Sequence, residues 1–248
     1  MARKYFNIKL ELDKTQVHKT IEETIQRKGK GYVCSIESNN LTVANTNPAF
    51  LAVVNEALIN ICDGSVVAKI LGLIHRKALN SYVGADLFMN FVQMRRYRQF
   101  FLGNSREVLS GLRTNLSRID PRIEQMTFME LPFKEVEQFE YKLIADQINK
   151  DKPDIIWVSL GAPKQEFFMS YLKPHINQGV MFGFGAIFNF NSGVGKVKRA
   201  PKLLRKIYLE WLFRAFNEPK KNVPRYWRFV KILPSLIVNE IGNRKNGL

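Results

Sequence analysis

Cysteine, histidine and acidic side chains are all scarce in this sequence. Its 248 residues include two cysteines, Cys34 and Cys62, and three histidines, His18, His75 and His175. Two cysteines exclude a disulfide framework and a Cys₄ zinc site; a reduced pair is expected. The histidines lie apart from any cysteine or carboxylate spacing that suggests a metal site, and read as packing or surface residues. An Asp-x-Asp pair and a P-loop are missing. The glycine pair Gly183 and Gly185 is followed by Phe188 where a dinucleotide fingerprint needs a third glycine. A charge-free stretch of 22 residues runs between Lys173 and Lys196, but it holds five glycines, Pro174 and several amides. It is too polar for a membrane span, which needs about 20 apolar residues. Met1 to Leu10 has no apolar run, so no signal peptide is expected.

What is plentiful is positive charge. The chain carries 38 Lys and Arg against 22 Asp and Glu, a net charge of +16. Placement matters more than size: residues 195–248 hold 14 basic and 3 acidic side chains, whereas the first 194 residues are nearly balanced. Such asymmetry calls for a polyanionic partner, which leaves nucleic acid, an anionic membrane surface or a phosphorylated substrate.

Hydrophobic periodicity supplies the fold class. Phe6, Ile8, Leu10 and Leu12 alternate as one half-buried strand, and a helix follows over Thr15 to Arg27. Tyr32 to Ile36 and Leu41 to Ala44 read as short strands about an Asn39–Asn40 turn, and Pro48 opens a helix. Gln99 to Leu102 is a strand with a helix after it. Lys134 to Asn149 reads as a helix, Ile155 to Leu160 as a strand, Pro163 to Lys173 as a helix and Val180 to Phe184 as a strand. Strands alternating with helices predict an α/β, Rossmann-like fold: a mainly parallel sheet with helices on both faces. Ligands of such sheets bind beyond the carboxyl ends of the strands. The loops Asn45–Pro48, Asp63–Gly64, Gly161–Glu166 and Gly183–Gly193 are expected there. A core over 1–194 and a basic, amphipathic helical appendage over 195–248 complete the plan.

Several strings gain meaning from their order. They are Asn45-Thr46-Asn47-Pro48, Asp63-Gly64, Gly84-Ala85-Asp86-Leu87, Gly161-Ala162-Pro163-Lys164-Gln165-Glu166, Arg199-Ala200-Pro201, Glu210-Trp211-Leu212-Phe213-Arg214, Glu218-Pro219 and Arg225-Tyr226. Together they resemble the WecG/TagA/CpsF glycosyltransferases (glycosyltransferase family 26). The resemblance implies inverting transfer of a sugar from a UDP-sugar to a polyprenyl-diphosphate-linked saccharide, in cell-surface polysaccharide synthesis. It implies no cofactor. Without Asp-x-Asp to hold a metal, the leaving diphosphate would need Lys, Arg or helix N-termini.

The resemblance assigns Asp63 as general base and Asn47 to the acceptor sugar, with Asn45 standing where the family has Thr. Gln165 and Glu166 match the family's Gln-Glu and would meet the nucleotide sugar, beside Gly64, Lys164 and Glu210. Gly161 and Gly185 suit close backbone approach. Asn189 replaces the family's Asp after Phe188. Arg199, Arg214 and Arg225 match family arginines, whose forked guanidinium suits diphosphate. The implied setting is peripheral, on the cytoplasmic face of the membrane, with anionic lipid as a partner and no nucleic acid; a homo-oligomer is compatible. Two rival readings are a nucleic-acid-binding α/β protein using the basic aromatic tail, and a catalytically inactive family member.

Overall fold

The computed structural model describes residues 3–194, 200, 201, 204 and 210–245. Strands β1 (Arg3–Tyr5) and β2 (Ile8–Leu10) form an antiparallel hairpin. The sequence reads this segment as one strand, but Phe6 and Asn7 both take positive φ, 48° and 68°. That is the backbone of a two-residue hairpin turn. The main sheet comprises β3 (Lys30–Ile36), β4 (Ile59–Cys62), β5 (Gln99–Gly103), β6 (Thr127–Met129), β7 (Ile155–Ser159) and β8 (Gly179–Gly183). All its pairings are parallel, in the order β4-β3-β8-β7-β5-β6.

The strands are apolar on both sides, as a sheet covered by helices requires. Alternate residues feed two cores. Tyr32, Cys34, Ile36, Ile156, Val158 and Met181 join one. Val33, Ile155, Trp157, Val180 and Phe182 join the other. The first core is covered by α2 (Ser38–Thr46), α3 (Pro48–Asn55), α4 (Ser65–His75), α7 (Tyr141–Asp151) and α8 (Lys164–Leu172). The second is covered by α1 (Lys14–Gln26), α5 (Gly84–Gln93), α6 (Arg106–Ser117) and α9 (Gly185–Ser192). Cys34 and Cys62 are free and buried. The α/β, Rossmann-like class is therefore the observed one.

Three expectations are corrected. Leu41 to Ala44 is not a strand but the middle of α2, where the Glu37 carboxylate caps the Asn39 amide and Leu41 and Ala44 are buried. Tertiary packing outweighs the weak helix propensity of Thr42 and Val43 here. The helix expected over Lys134 to Asn149 is a short 3₁₀ turn, Val136–Gln138, followed by α7. The loop expected over Gly183 to Gly193 is mostly α9, ended by Gly193 at φ 71°.

Beyond residue 209 lie α10 (Glu210–Asn217) and α11 (Pro219–Lys245). Helix α11 packs on α2 and α4, and its Phe229 and Leu236 enter the first core. No helix among the described residues is long and apolar enough to cross a membrane. Near its end, Glu240 is 2% exposed. It accepts hydrogen bonds from the Phe6 amide and from His75 Nε2, each at 2.7 Å. The Arg244 guanidinium caps the Ile74 carbonyl beside it. One carboxylate thus binds the hairpin turn, α4 and α11 together. Removing one partner from a buried pair leaves the other uncompensated and costs about 3–5 kcal/mol. Glu240→Ala should therefore lower the thermal midpoint by roughly 10 °C, measured by circular dichroism. A change under 2 °C would show that the pair is dispensable.

Candidate active site

The carboxyl ends of β3, β4, β7 and β8 form the site. Asp63 follows β4 directly, and the Ile36 carbonyl at the end of β3 accepts from both the Asp63 and Gly64 amides, at 3.0 and 3.3 Å. Ser35 Oγ donates to Asp63 Oδ2 at 2.6 Å, and the Gly84 amide donates to Oδ1 at 3.1 Å. Burial pushes the Asp63 carboxyl above the usual range. The Ser35 hydroxyl, the Arg214 charge and the Gly84 amide pull it back, and Glu210 adds to the rise. The result is a fixed carboxylate with enhanced basicity. Gly64 caps α4 and has no room for a side chain to spare, since a Cβ would lie 3.3 Å from Glu37 Cα.

Gln165, in the first turn of α8, ties two strand ends together, those of β7 and β8. Its Oε1 accepts from the Gly161 and Gly185 amides, both at 3.1 Å, and its Nε2 donates to the Gly183 carbonyl at 2.8 Å. The glycines are dictated by contact. A Cβ on Gly185 would meet Gly161 Cα and N at 2.8 Å, and Gly161 itself has φ 77°. Next along the helix, Glu166 is wholly buried. Its Oε1 accepts from Asn40 Nδ2 and Gln165 Nε2, each at 3.1 Å. Asn40 also holds the Ser35 carbonyl at 2.9 Å, so a continuous polar chain runs from Asp63 to Gln165.

Helices α4, α5, α8 and α9 all begin at this sheet end, and none is capped by the side chain of its own N-cap residue, although Asp63 and Gln165 reach the Gly84 and Gly185 amides. Their first-turn amides and dipoles make the mouth of the site receptive to anions. From the other side, α10 brings Arg214, which pairs with Glu210 at 2.9 Å and lies over the Phe190 ring of α9. Its charge is felt by Asp63, and those of Asp63 and Glu37 by Arg214. Arg214 and Arg225 both act electrostatically on Tyr226, whose ring meets Trp211 edge-on at 5.9 Å. Among the described residues no group of three or more His, Cys, Asp or Glu is placed to hold a metal ion.

Of the residues selected from sequence, Asp63, Gly64, Gly161, Gln165, Glu166, Gly185, Glu210, Arg214 and Arg225 gather at this end. Asn45 and Asn47 do not. Asn45 bonds the Phe6 and Leu41 carbonyls and Asn7, and Asn47 caps α3 through the Phe50 amide. They end the helix that begins beside Gly64, about 13 Å of α2 away. Lys164 turns to the Lys134 carbonyl and the Phe133 and Phe139 rings. Glu166 is too deep to meet a sugar. Asn189 is half-buried in the second turn of α9, and Arg199 lies outside the described residues. Sequence reasoning missed Ser35, Glu37 and Asn40. Their signal was the end of β3, obscured by reading the next segment as a strand. A hollow of about 390 Å³ between the hairpin and Lys77–Asn80 shares no residue with this site.

A family model described as the glycosyl transferase WecG/TagA/CpsF family matches residues 4–246. Two similar curated proteins are both named N-acetylglucosaminyldiphosphoundecaprenol N-acetyl-beta-D-mannosaminyltransferase. The one from Bacillus spizizenii is 29% identical over 197 residues, covering 78% of this chain and 72% of its own. The one from Staphylococcus aureus strain MW2 is 26% identical over 208 residues, covering 77% and 78%. The close approach of two backbone turns in the site yields a test that requires no substrate. Gly185→Ala should cost about 1–3 kcal/mol by overpacking against Gly161, whereas Ala186→Gly, an exposed change one residue on, should cost about 1 kcal/mol or less. Thermal unfolding of the two variants compares them directly, and equal midpoints would refute the close contact.

Proposed function

Because the chain belongs to the WecG/TagA/CpsF family of glycosyl transferases, we propose that it moves a sugar from a UDP-sugar to a polyprenyl-diphosphate-linked saccharide, inverting the anomeric carbon. The observation that carries this reading is Asp63, a carboxylate held from both sides at the mouth of an anion-receptive sheet end. Asp63 takes the proton of the acceptor hydroxyl. The hydroxyl oxygen then bonds to the anomeric carbon from the face opposite the nucleotide, and the bond from that carbon to the diphosphate breaks. Negative charge accumulates on the leaving UDP. The N-terminal ends of α4, α8 and α9 and the guanidinium of Arg214 are the groups suited to receive it. Arg225 is assigned to the second diphosphate, that of the lipid acceptor. The relatives' names make N-acetylmannosamine the first donor sugar to test, and an N-acetylglucosaminyl-diphosphate lipid the first acceptor.

The same reading makes 1–194 the catalytic core and gives 195–248 two tasks, attachment to the membrane surface and completion of the acceptor site through Arg214 and Arg225. Along α11, Val223, Trp227, Val230, Pro234, Val238 and Ile241 are all exposed. Their spacing of three and four residues makes one stripe about 27 Å long. Lys220, Arg228 and Lys231 border it. An exposed apolar stripe edged with basic residues suits the interface of an anionic bilayer, which would hold the enzyme at the cytoplasmic face, where a lipid-linked acceptor is reached.

Two measurements follow. Asp63→Asn should keep the fold and the donor affinity while lowering turnover about 10²–10⁴-fold, read as UDP release with a short-chain acceptor. Turnover within threefold of wild type would remove Asp63 from the base role. The exposed pair Trp227→Ser and Val230→Ser should leave unfolding unchanged and weaken sedimentation with phosphatidylglycerol vesicles about tenfold or more. Unaltered vesicle binding would direct attention away from α11.

A further inference from the structure

The polar chain behind Asp63 contains a group that the reaction does not use directly. Glu166 is 0% exposed, and its Oε2 has no hydrogen-bond partner. Asn40 Oδ1 is a second buried oxygen without one. Both are acceptors, and they belong to side chains already joined through Asn40 Nδ2 and Glu166 Oε1. Leaving buried acceptors unmet is costly, all the more when one is part of a charge. A proton on Glu166 Oε2 removes the charge and supplies the donor that this pocket lacks.

We propose that Glu166 is a positioning residue that works in its protonated form, fixing Gln165 so that the Gly161 and Gly185 turns keep the spacing that receives the donor. The assignment of those turns to the donor rests on the glycosyl transfer reading above. The mechanical link is direct. Gln165 Nε2 donates to Glu166 Oε1 and to the Gly183 carbonyl, which orients the amide so that its Oε1 faces the two glycine amides. The space is filled: a Cβ on Gly183 would approach Gln165 Nε2 to 3.1 Å and Met169 Cε to 2.7 Å. The amide therefore has one orientation, and among the described residues Glu166 is the side chain that its Nε2 bonds.

The surroundings favour the neutral acid. Burial pushes Glu166 up to about 7, against an ordinary 4.5, and bonds from Gln165, from its own backbone amide and from Asn40 only partly offset it. From β3 it faces the buried Cys34 thiol, and from the start of α2 the Glu37 carboxylate, which adds to the rise. Asn40 from α2 and glycine backbone from the β8 end carry no charge, and Lys164, its neighbour on α8, turns away to Lys134. A carboxyl raised in the folded state contributes stability that is complete below about pH 4.5 and lost as pH climbs through about 7.

The test compares Glu166→Gln and Glu166→Ala in the full-length protein. Gln mimics the neutral acid: one carbonyl oxygen for Asn40 and Gln165, and one donor group in place of Oε2. Thermal unfolding between pH 5 and 8.5 should show wild type losing roughly 5 °C more than Glu166→Gln. With UDP-N-acetylmannosamine as donor, Glu166→Gln should keep kcat and donor KM within twofold of wild type at pH 6, and have a KM about threefold or more lower than wild type at pH 8.5. Glu166→Ala should raise donor KM about tenfold at both values of pH. If Glu166→Gln matches Glu166→Ala throughout, or if both glutamine and wild-type proteins melt with the same pH dependence, the protonated positioning role is overturned. Failure of wild type to turn over the donor would instead count against the transfer reading, and the melting series alone would still decide the state of Glu166.

Discussion

The pairing of β3 with β8 is the seam on which the molecule depends. It joins a first unit, β3 and β4, to a second, β5 to β8, through parallel register from Lys30 opposite Gly179 to Val33 opposite Phe182. The polar chain of the site crosses that seam. Ser35, Asn40 and Asp63 come from the first unit, and Gln165, Glu166 and the Gly183–Gly185 turn from the second. Asn40 bonds to Glu166 across it. A parallel sheet delivers its carboxyl ends to one side by construction, and here that geometry also places the N-termini of four helices around one carboxylate.

The sequence made much of this arrangement legible, and the failures are instructive. The alternation of strands and helices announced the parallel sheet, because strands covered on both faces must be continuously apolar and Ile155-Ile156-Trp157-Val158 can be little else. Asp63 and Gln165 were recoverable through the family resemblance, carried by the Asp63-Gly64 pair and by the string from Gly161 to Glu166. What could not be read was α2. Thr42 and Val43 favour extended backbone, and only the burial of Leu41 and Ala44 and the Glu37 cap make a helix of them. That single misreading carried Asn45 and Asn47 toward the site and hid Ser35, Glu37 and Asn40, which occupy the place those residues were expected to fill.

Electrostatics divides the molecule differently from the backbone. Charge counting alone makes the last fifth of the chain look like a separate basic element. Its helices nevertheless contribute an acid to the interior, Glu240, and a second acid to the site, Glu210, while Lys220, Arg228 and Lys231 face outward. The two proline positions inside α11, Pro224 and Pro234, fall on exposed faces, so the buried line from Asn222 through Phe229 and Leu236 to Glu240 runs uninterrupted. One helix therefore has a buried apolar face and an exposed one, with different occupants.

The Glu240 anchor has a consequence for synthesis. The Phe6 amide in the hairpin turn is satisfied by a carboxylate 234 residues later. At ribosomal rates of about 5–20 residues per second, that separation corresponds to roughly 10–50 seconds. Throughout that interval the nascent chain can assemble β3 and β4 but cannot close the hairpin, α4 and the final helix onto one another. Arg214, carried by the helix just before α11, reaches Asp63 in the same last stage. The chain thus emerges with the Asp63 carboxylate already in place and the Arg214 guanidinium still to come, so that the site is completed together with the helix that seals the fold.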